Sequence, residues 1–278
     1  MKSSRLGHYI LQQHLRTGGM AEVYVATDPA GKQVAIRRLM PRYGWHLFRR
    51  RQFMRGLRIQ EKLAHPNIVR VYETVGGWAP YAVMEYVEGV NLRHAMNRGD
   101  QFVSKDMIEQ AVQLLDMILN ALHHIHQSGY MHLDLKPENI LLNHNGEVKL
   151  LDFDLARAIP SEPKYLPALE GTPNYVSPEQ FLREPTDQRA DLFALGVTAY
   201  ELFTGQKPVQ ARNAAEVRRA YTDFNVRFPS PEKYNSALPQ PFVQIIMKCI
   251  EKKADSRYPS TAMILKDVRA AKRTLGWE

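Results

Sequence analysis

Residues 132–154, HLDLKPENILLNHNGEVKLLDFD, decide how the rest of the chain is read. Asn145 and Gly146 form the strongest short-range hairpin signal there is, and apolar residues flank them on both sides. Counting outward from a two-residue loop predicts that Leu142 pairs with Lys149, Ile140 with Leu151 and Asn139 with Asp152. Directly opposed residues lie ~5 Å apart, so the amide oxygen of Asn139 and the carboxylate of Asp152 are expected to converge. Two hard oxygen ligands at one point suit Mg²⁺, which fills the rest of its shell with phosphate and water. A hairpin with ordinary polar ends is the alternative on this stretch alone. Just upstream, Asp134 and Lys136 place a carboxylate and an ammonium on the same short loop as Asn139.

Working outward, the first 90 residues read as strands. Val23–Val25, Val34–Ile36, Ile68–Tyr72 and Tyr81–Met84 are β-branched or aromatic runs separated by Gly, Pro or Asn, with one helix expected over Arg49–Leu63. After Asn91 the apolar spacing turns helical, over Met107–His126, Ala190–Thr204, Phe242–Ile250 and Thr261–Thr274. No repeat or low-complexity linker interrupts the chain. The expected architecture is a single α+β domain over 1–278, with a small β-rich lobe (1–87) that carries one helix and a larger helical lobe (88–278).

The 278 residues, 44% hydrophobic and 24% charged, are enough for a sizeable core and exclude a disordered tail or a fibre. Apolar runs fall short of the ~20 residues that cross a bilayer, and Met1–Arg5 leads into no apolar stretch, so no membrane span and a cytoplasmic location are expected. Cys249, the single cysteine, reads as a buried thiol. Charge is more informative. Residues 29–60 hold eight arginines, Lys32 and no acid, against a net +8 for the chain, so the remainder is net −1. Such a local patch argues against a general nucleic-acid binder and for a local cause.

The loop 132–139 resembles the catalytic loop of protein kinases, H-R-D-x-K-x-x-N, and Asp152-Phe153-Asp154 resembles their D-F-G. The match continues in order along the chain. Leu15–Tyr24 is similar to the Gly-rich loop, Val34–Arg37 to the strand bearing the ATP lysine, and Met84–Val87 to the gatekeeper and hinge. Gly171–Glu179 resembles the end of the activation segment, Asp191–Gly196 the helix after it, and Arg257 the partner of Glu179. The wording is most like bacterial serine/threonine kinases. The resemblance implies a two-lobed kinase-like fold that uses ATP and Mg²⁺. By the same resemblance, Asp134 orients the substrate hydroxyl and accepts its proton, Lys136 touches the γ-phosphate, and Asn139 and Asp152 hold the metal. Gly18 belongs to the phosphate loop, Val23, Ala35 and Leu141 enclose adenine, and Met84, Glu85 and Val87 line its edge.

Several positions depart from that pattern. Arg37 stands where the ATP lysine belongs, and its planar fork does not substitute conservatively for a point charge. The glutamate that pairs with that lysine lies nine residues before the His65-Pro66 turn, where this chain has Gly56. Glu61 is no replacement, because five residues turn a helical side chain ~140° away. Arg16 and Ala21 replace two glycines of the phosphate loop, Gln60 replaces an apolar residue between the lobes, and Asp154 replaces the D-F-G glycine. The resulting expectation is Mg-ATP binding with transfer to Ser or Thr impaired or absent, as in a pseudokinase; the alternative is a fully competent serine/threonine kinase.

Arg51, Arg55, Arg58 and Lys62 form one stripe along the expected helix, either a solvated face or a docking surface for an acidic protein partner, a phosphopeptide or nucleic acid. Leu133 replaces the arginine that grips a phosphorylated activation loop, and residues 155–170 offer only Ser161 and Tyr165 as acceptors. Substituting Ser161 by Ala is therefore predicted to leave both activity and melting temperature unchanged; a clear loss of either contradicts this reading.

Overall fold

The β-branched runs near the N-terminus pair into one antiparallel sheet. The computed structural model describes residues 5–97, 105–166 and 170–277, so the first four residues of the expected small lobe and 167–169 of the 155–170 segment lie outside the described residues. The small lobe contains β1 (Arg5–Leu6), β2 (Tyr9–Thr17), β3 (Ala21–Thr27), β4 (Gln33–Leu39), the helix α1 (Leu47–Glu61), β5 (Val71–Val75) and β6 (Tyr81–Glu85). The strand order is β1-β2-β3-β4-β6-β5. Arg16 stands opposite Val23, Val23 opposite Arg37, and Arg37 opposite Ala82, so these four residues share one face of the sheet.

The larger lobe adds β7 (Gly89–Asn91), α2 (Leu92–Asn97), α3 (Lys105–Gln127), β8 (Tyr130–Met131), β9 (Ile140–Asn143), β10 (Val148–Leu150) and β11 (Arg157–Ala158), then α4 (Pro178–Leu182), α5 (Arg189–Thr204), α6 (Ala214–Thr222), α7 (Gln240–Cys249) and α8 (Thr261–Leu275). Helix α5 is buried on every side from Ala190 to Phe203, which explains why its sequence is apolar all round. Cys249 is buried against this core as expected, and burial pushes its thiol up to about 12. Among the described residues no helix is long and apolar enough to cross a membrane.

Two buried polar anchors organise the larger lobe, and the first of them fixes the loop between β8 and β9. The Asp191 carboxylate accepts from the backbone N–H of His132 (2.8 Å) and Leu133 (2.7 Å) and bonds His126 Nε2 (2.8 Å). Burial would raise its pKa, but these bonds outweigh burial and hold it below the ordinary carboxylate value. Arg257 makes a buried two-pronged pair with Glu179, at 2.8 and 2.7 Å, as its motif implied.

The hairpin is offset by one residue from the expected register. Leu142 pairs with Val148, Leu141 with Lys149 and Ile140 with Leu150. The cause is local: Asn143 Oδ1 accepts from the N–H of Asn145 and Glu147, and Gly146 adopts φ 77°, so the loop has three residues instead of two. Asn139 therefore faces Leu151, whose N–H donates to the Asn139 carbonyl at 3.0 Å, and not Asp152. Asp152 follows with a left-handed φ of 69°.

Helix α1 is two residues earlier than predicted at both ends, and its first turn holds two arginines and no acid. Gly56 sits where the helix crosses the D-F-D segment: a Cβ there would lie 2.6 Å from the Phe153 carbonyl oxygen and 3.0 Å from Asp154 Cα. A mid-helix glycine costs ~1 kcal/mol against alanine, but this contact needs the absent side chain. Gly56→Ala is accordingly predicted to lower stability by ~1–3 kcal/mol in urea unfolding, opposite to its helix propensity. Asp191→Ala should cost ~3 kcal/mol, since it strands two backbone donors. With its carboxyl depressed, the Asp191 contribution is present at neutral pH and disappears as pH falls through its lowered pKa.

Candidate active site

A cleft of about 390 Å³ opens between the sheet and the β9–β10 hairpin. Val23, Ala35, Met84, Val87, Leu141 and Leu151 give it apolar walls, and the β6 end brings in Glu85 and Tyr86. Arg16, Arg37 and Asp152 supply its charge. Of the sequence-predicted binding residues, all but Gly18 line this space. Gly18 instead closes the β2–β3 turn, its N–H donating to the Ala21 carbonyl at 2.8 Å. Leu15, from the segment similar to the Gly-rich loop, also lines the cleft, as do Val69, Val90, Asn91 and His94, which carried no motif signal.

The 132–139 loop gathers the predicted catalytic groups. Lys136 Nζ donates to both oxygens of Asp134 (2.9 and 2.8 Å) and to Thr172 Oγ1 (2.8 Å). Asn139 Nδ2 donates to the Asp134 carbonyl (2.9 Å) and to its Oδ2 (2.8 Å). Burial pushes the Asp134 carboxyl above its ordinary value despite the neighbouring ammonium. A carboxylate that is destabilised by burial yet held by two donors is both more basic and fixed in place, the combination a proton acceptor needs.

Asn139 and Asp152 each carry an oxygen of the kind that a hard cation takes. The Asn139 amide nitrogen is committed to Asp134, which leaves its oxygen as the donor atom. Burial would raise the Asp152 carboxyl, but Arg37, Arg16 and Lys136 outweigh it and keep this group ionised. An ion held by these two oxygens would take the rest of its shell from phosphate and water, as Mg²⁺ does.

Arg37 is the most constrained side chain of the site. It is buried, with 6% exposure, and forms a two-pronged pair with Asp154, Nη1 to Oδ1 at 2.8 Å and Nη2 to Oδ2 at 2.5 Å. Its Nη2 also reaches Asp152 Oδ1 at 3.0 Å. Burial alone would lower the guanidinium's pKa, but the two carboxylates outweigh it and keep Arg37 charged. Burial pushes Asp154 up to about 6 against the pull of Arg37, whereas Arg37 and its neighbouring cations hold Asp152 below the ordinary carboxylate value. The acid that replaces the D-F-G glycine is thus paired with Arg37, and its φ is not left-handed.

The helix contributes differently from the expected pattern. The Phe53 ring lies 4.9 Å beneath the Arg37 guanidinium, a cation–π contact no motif had indicated. Gln60 is buried and spends its Nε2 on the Val69 carbonyl at 2.8 Å, which satisfies a polar group at a site expected to be apolar. Arg55 is no solvated residue: Nε donates to the Ala156 carbonyl and Nη2 to that of Asp154, both at 3.1 Å. The rest of the basic stripe borders a second groove of about 640 Å³, walled by Arg50, Arg51, Arg58 and Lys62 over Met54, Ile59 and Tyr130. The side chains of Arg50, Arg51 and Arg58 make no ion pair with any described residue.

Known proteins carry the same arrangement of sequence. The model of the protein kinase domain matches residues 9–268. The chain is 32% identical over 269 residues to the serine/threonine-protein kinase PrkC of Bacillus subtilis, covering 95% of this chain and 40% of that protein. It is 34% identical over 263 residues to PksC of Streptomyces coelicolor, covering 91% and 47%, and 32% identical over 269 residues to PknB of Mycolicibacterium smegmatis, covering 94% and 42%. The chain thus spans less than half the length of these relatives. With two lobes, a cleft between them and the ordered motifs that line it, this chain belongs to the protein kinase domain family, in the company of bacterial serine/threonine kinases.

Proposed function

We propose that the domain binds Mg-ATP in the interlobe cleft and transfers its γ-phosphate to Ser or Thr hydroxyls, at a rate well below that of relatives with the lysine–glutamate pair. The observation that carries this reading is the intact Asp134–Lys136–Asn139 network beside a cleft whose one deep cation, Arg37, is already shared by two carboxylates. Asp134 accepts the hydroxyl proton, and Lys136, bridging Asp134 and Thr172, fixes the base relative to the activation segment. Asn139 and Asp152 are the residues that would hold Mg²⁺, which when bound neutralises charge on the phosphates. Val23, Ala35 and Leu141 enclose the adenine, and Met84, Glu85 and Val87 border it.

A guanidinium presents a wide planar fork, less well aimed at a phosphate than the point charge of a lysine, and here one of its nitrogens also reaches Asp152. Loss of one preorganised electrostatic contact costs ~10²–10³ in rate, which takes a family turnover of ~1–100 s⁻¹ down to ~10⁻³–1 s⁻¹. Slow transfer, as opposed to none, follows because the base and both metal ligands are present. The test is γ-labelled ATP with a degenerate Ser/Thr peptide pool, run beside Asp134→Asn. Label transfer that Asp134→Asn abolishes, with the nucleotide-induced rise in melting temperature retained, is the expected result. No transfer together with a nucleotide-induced rise makes the chain a pseudokinase, and transfer at full family rates restores the fully competent alternative.

The basic groove supports a second reading, an acidic protein partner seated along α1. An arginine in the first turn of a helix opposes its dipole at ~0.3–1 kcal/mol, and Arg50, in that turn, has no ion pair with any described residue to offset it. Arg51→Glu with Arg58→Glu spares the Arg55 contacts to the D-F-D backbone. It should abolish salt-sensitive binding of an acidic peptide while leaving ATP affinity intact; unchanged peptide binding removes the groove as a docking surface.

A further inference from the structure

We infer that Asp154 has taken over the anchoring function of the missing helix glutamate, and that Gly56 and Asp154 are one reciprocal exchange and not two separate losses. The inference rests on the nucleotide reading above and names the residue that positions its phosphate-facing cation. The resemblance places an acid at 56 and a glycine at 154; this chain has glycine at 56 and an acid at 154. The two positions touch, because a Cβ on residue 56 would lie 3.0 Å from Asp154 Cα and 2.6 Å from the Phe153 carbonyl oxygen. A glutamate at 56 cannot occupy that space while the D-F-D segment stays where it is.

The relocated acid explains the change of cation. Asp154 presents both oxygens to the two terminal nitrogens of Arg37 at 2.8 and 2.5 Å, a fork-to-fork geometry that a lysine cannot form. Asp154 pays no left-handed backbone penalty, since the only non-glycine residues with positive φ among those described are Leu133, Asp152 and Arg183. Helix α1 keeps a different part: Phe53 underlies Arg37, and Arg55 holds the carbonyls of Asp154 and Ala156. The cation is therefore anchored by the segment that also carries the metal ligand Asp152, and the helix grips that segment's backbone in place of the cation. Asp154 is a positioning residue that acts through Arg37.

The experiment compares the intact 278-residue chain with Asp154→Asn, Asp154→Gly, Gly56→Glu and the Gly56→Glu/Asp154→Gly double variant, reading melting temperature and the affinities for ATP and for adenosine. Asp154→Asn is expected to weaken ATP by about 10- to 100-fold with adenosine within about twofold, because the apolar adenine walls are untouched. Gly56→Glu should lower the melting temperature by ~5 °C or more, and the double variant should recover part of the ATP affinity lost in Asp154→Gly. Equal losses for ATP and adenosine, an unaffected Asp154→Asn, or strictly additive single effects each overturn the inference. A wild-type chain that binds no ATP sinks the nucleotide reading instead. The anchor is then decided by whether Asp154→Asn alone lowers the melting temperature by ~5 °C.

Discussion

A guanidinium buried between two lobes must be neutralised where it lies, and in this protein that requirement is met by Asp154 and Asp152. Stripping one partner from a buried pair costs ~3–5 kcal/mol, so the position of Arg37 and the course of the D-F-D segment fix one another. Everything around the pair follows from it. Phe153 brings its carbonyl against α1, which admits no side chain at Gly56, and Arg55 closes the contact from the helix side. The sheet register then sets Arg16 and Arg37 on one face with Val23 between them, so two cations enter the same cleft.

This arrangement redistributes the tasks of the small lobe. The helix supplies an aromatic platform and a backbone clamp, and directly before Phe53 its Gln52 donates to Glu170 at 3.1 Å, where Arg157 also lies 3.6 Å away. The end of the activation segment, the D-F-D segment and α1 are thereby connected through side chains that are polar but largely paired. The outward arginines of α1 border a second groove that meets this chain of contacts at Arg55.

The fold was legible because its signals are local: alternating strands, helical spacing and ordered motifs each read from a few consecutive residues. The Asp191 and Arg257 anchors were legible only through resemblance, since their partners lie far away in sequence. The hairpin register was misread because the Asn-Gly rule competes with the Asx turn of Asn143, which adds one residue to the loop. The partner of Asp154 was hidden for a different reason. Its charge is a surplus beside Asp152 until the tertiary structure brings in Arg37, 117 residues earlier in the chain. Arg55 shows the same limit, for a regular stripe of four cations does not reveal that one of them faces backbone carbonyls. Departures from a family pattern, taken one at a time, read as losses; only their contact at Gly56 and Asp154 shows compensation.

The most direct measurement is a crystal structure of the chain with magnesium and a non-hydrolysable ATP analogue. The account predicts that Arg37 keeps both bonds to Asp154 while Asp152 exchanges the guanidinium for the metal. Electron density with Arg37 swung away from Asp154, or with Asp152 still bound to Arg37 and no metal beside Asn139, would contradict it.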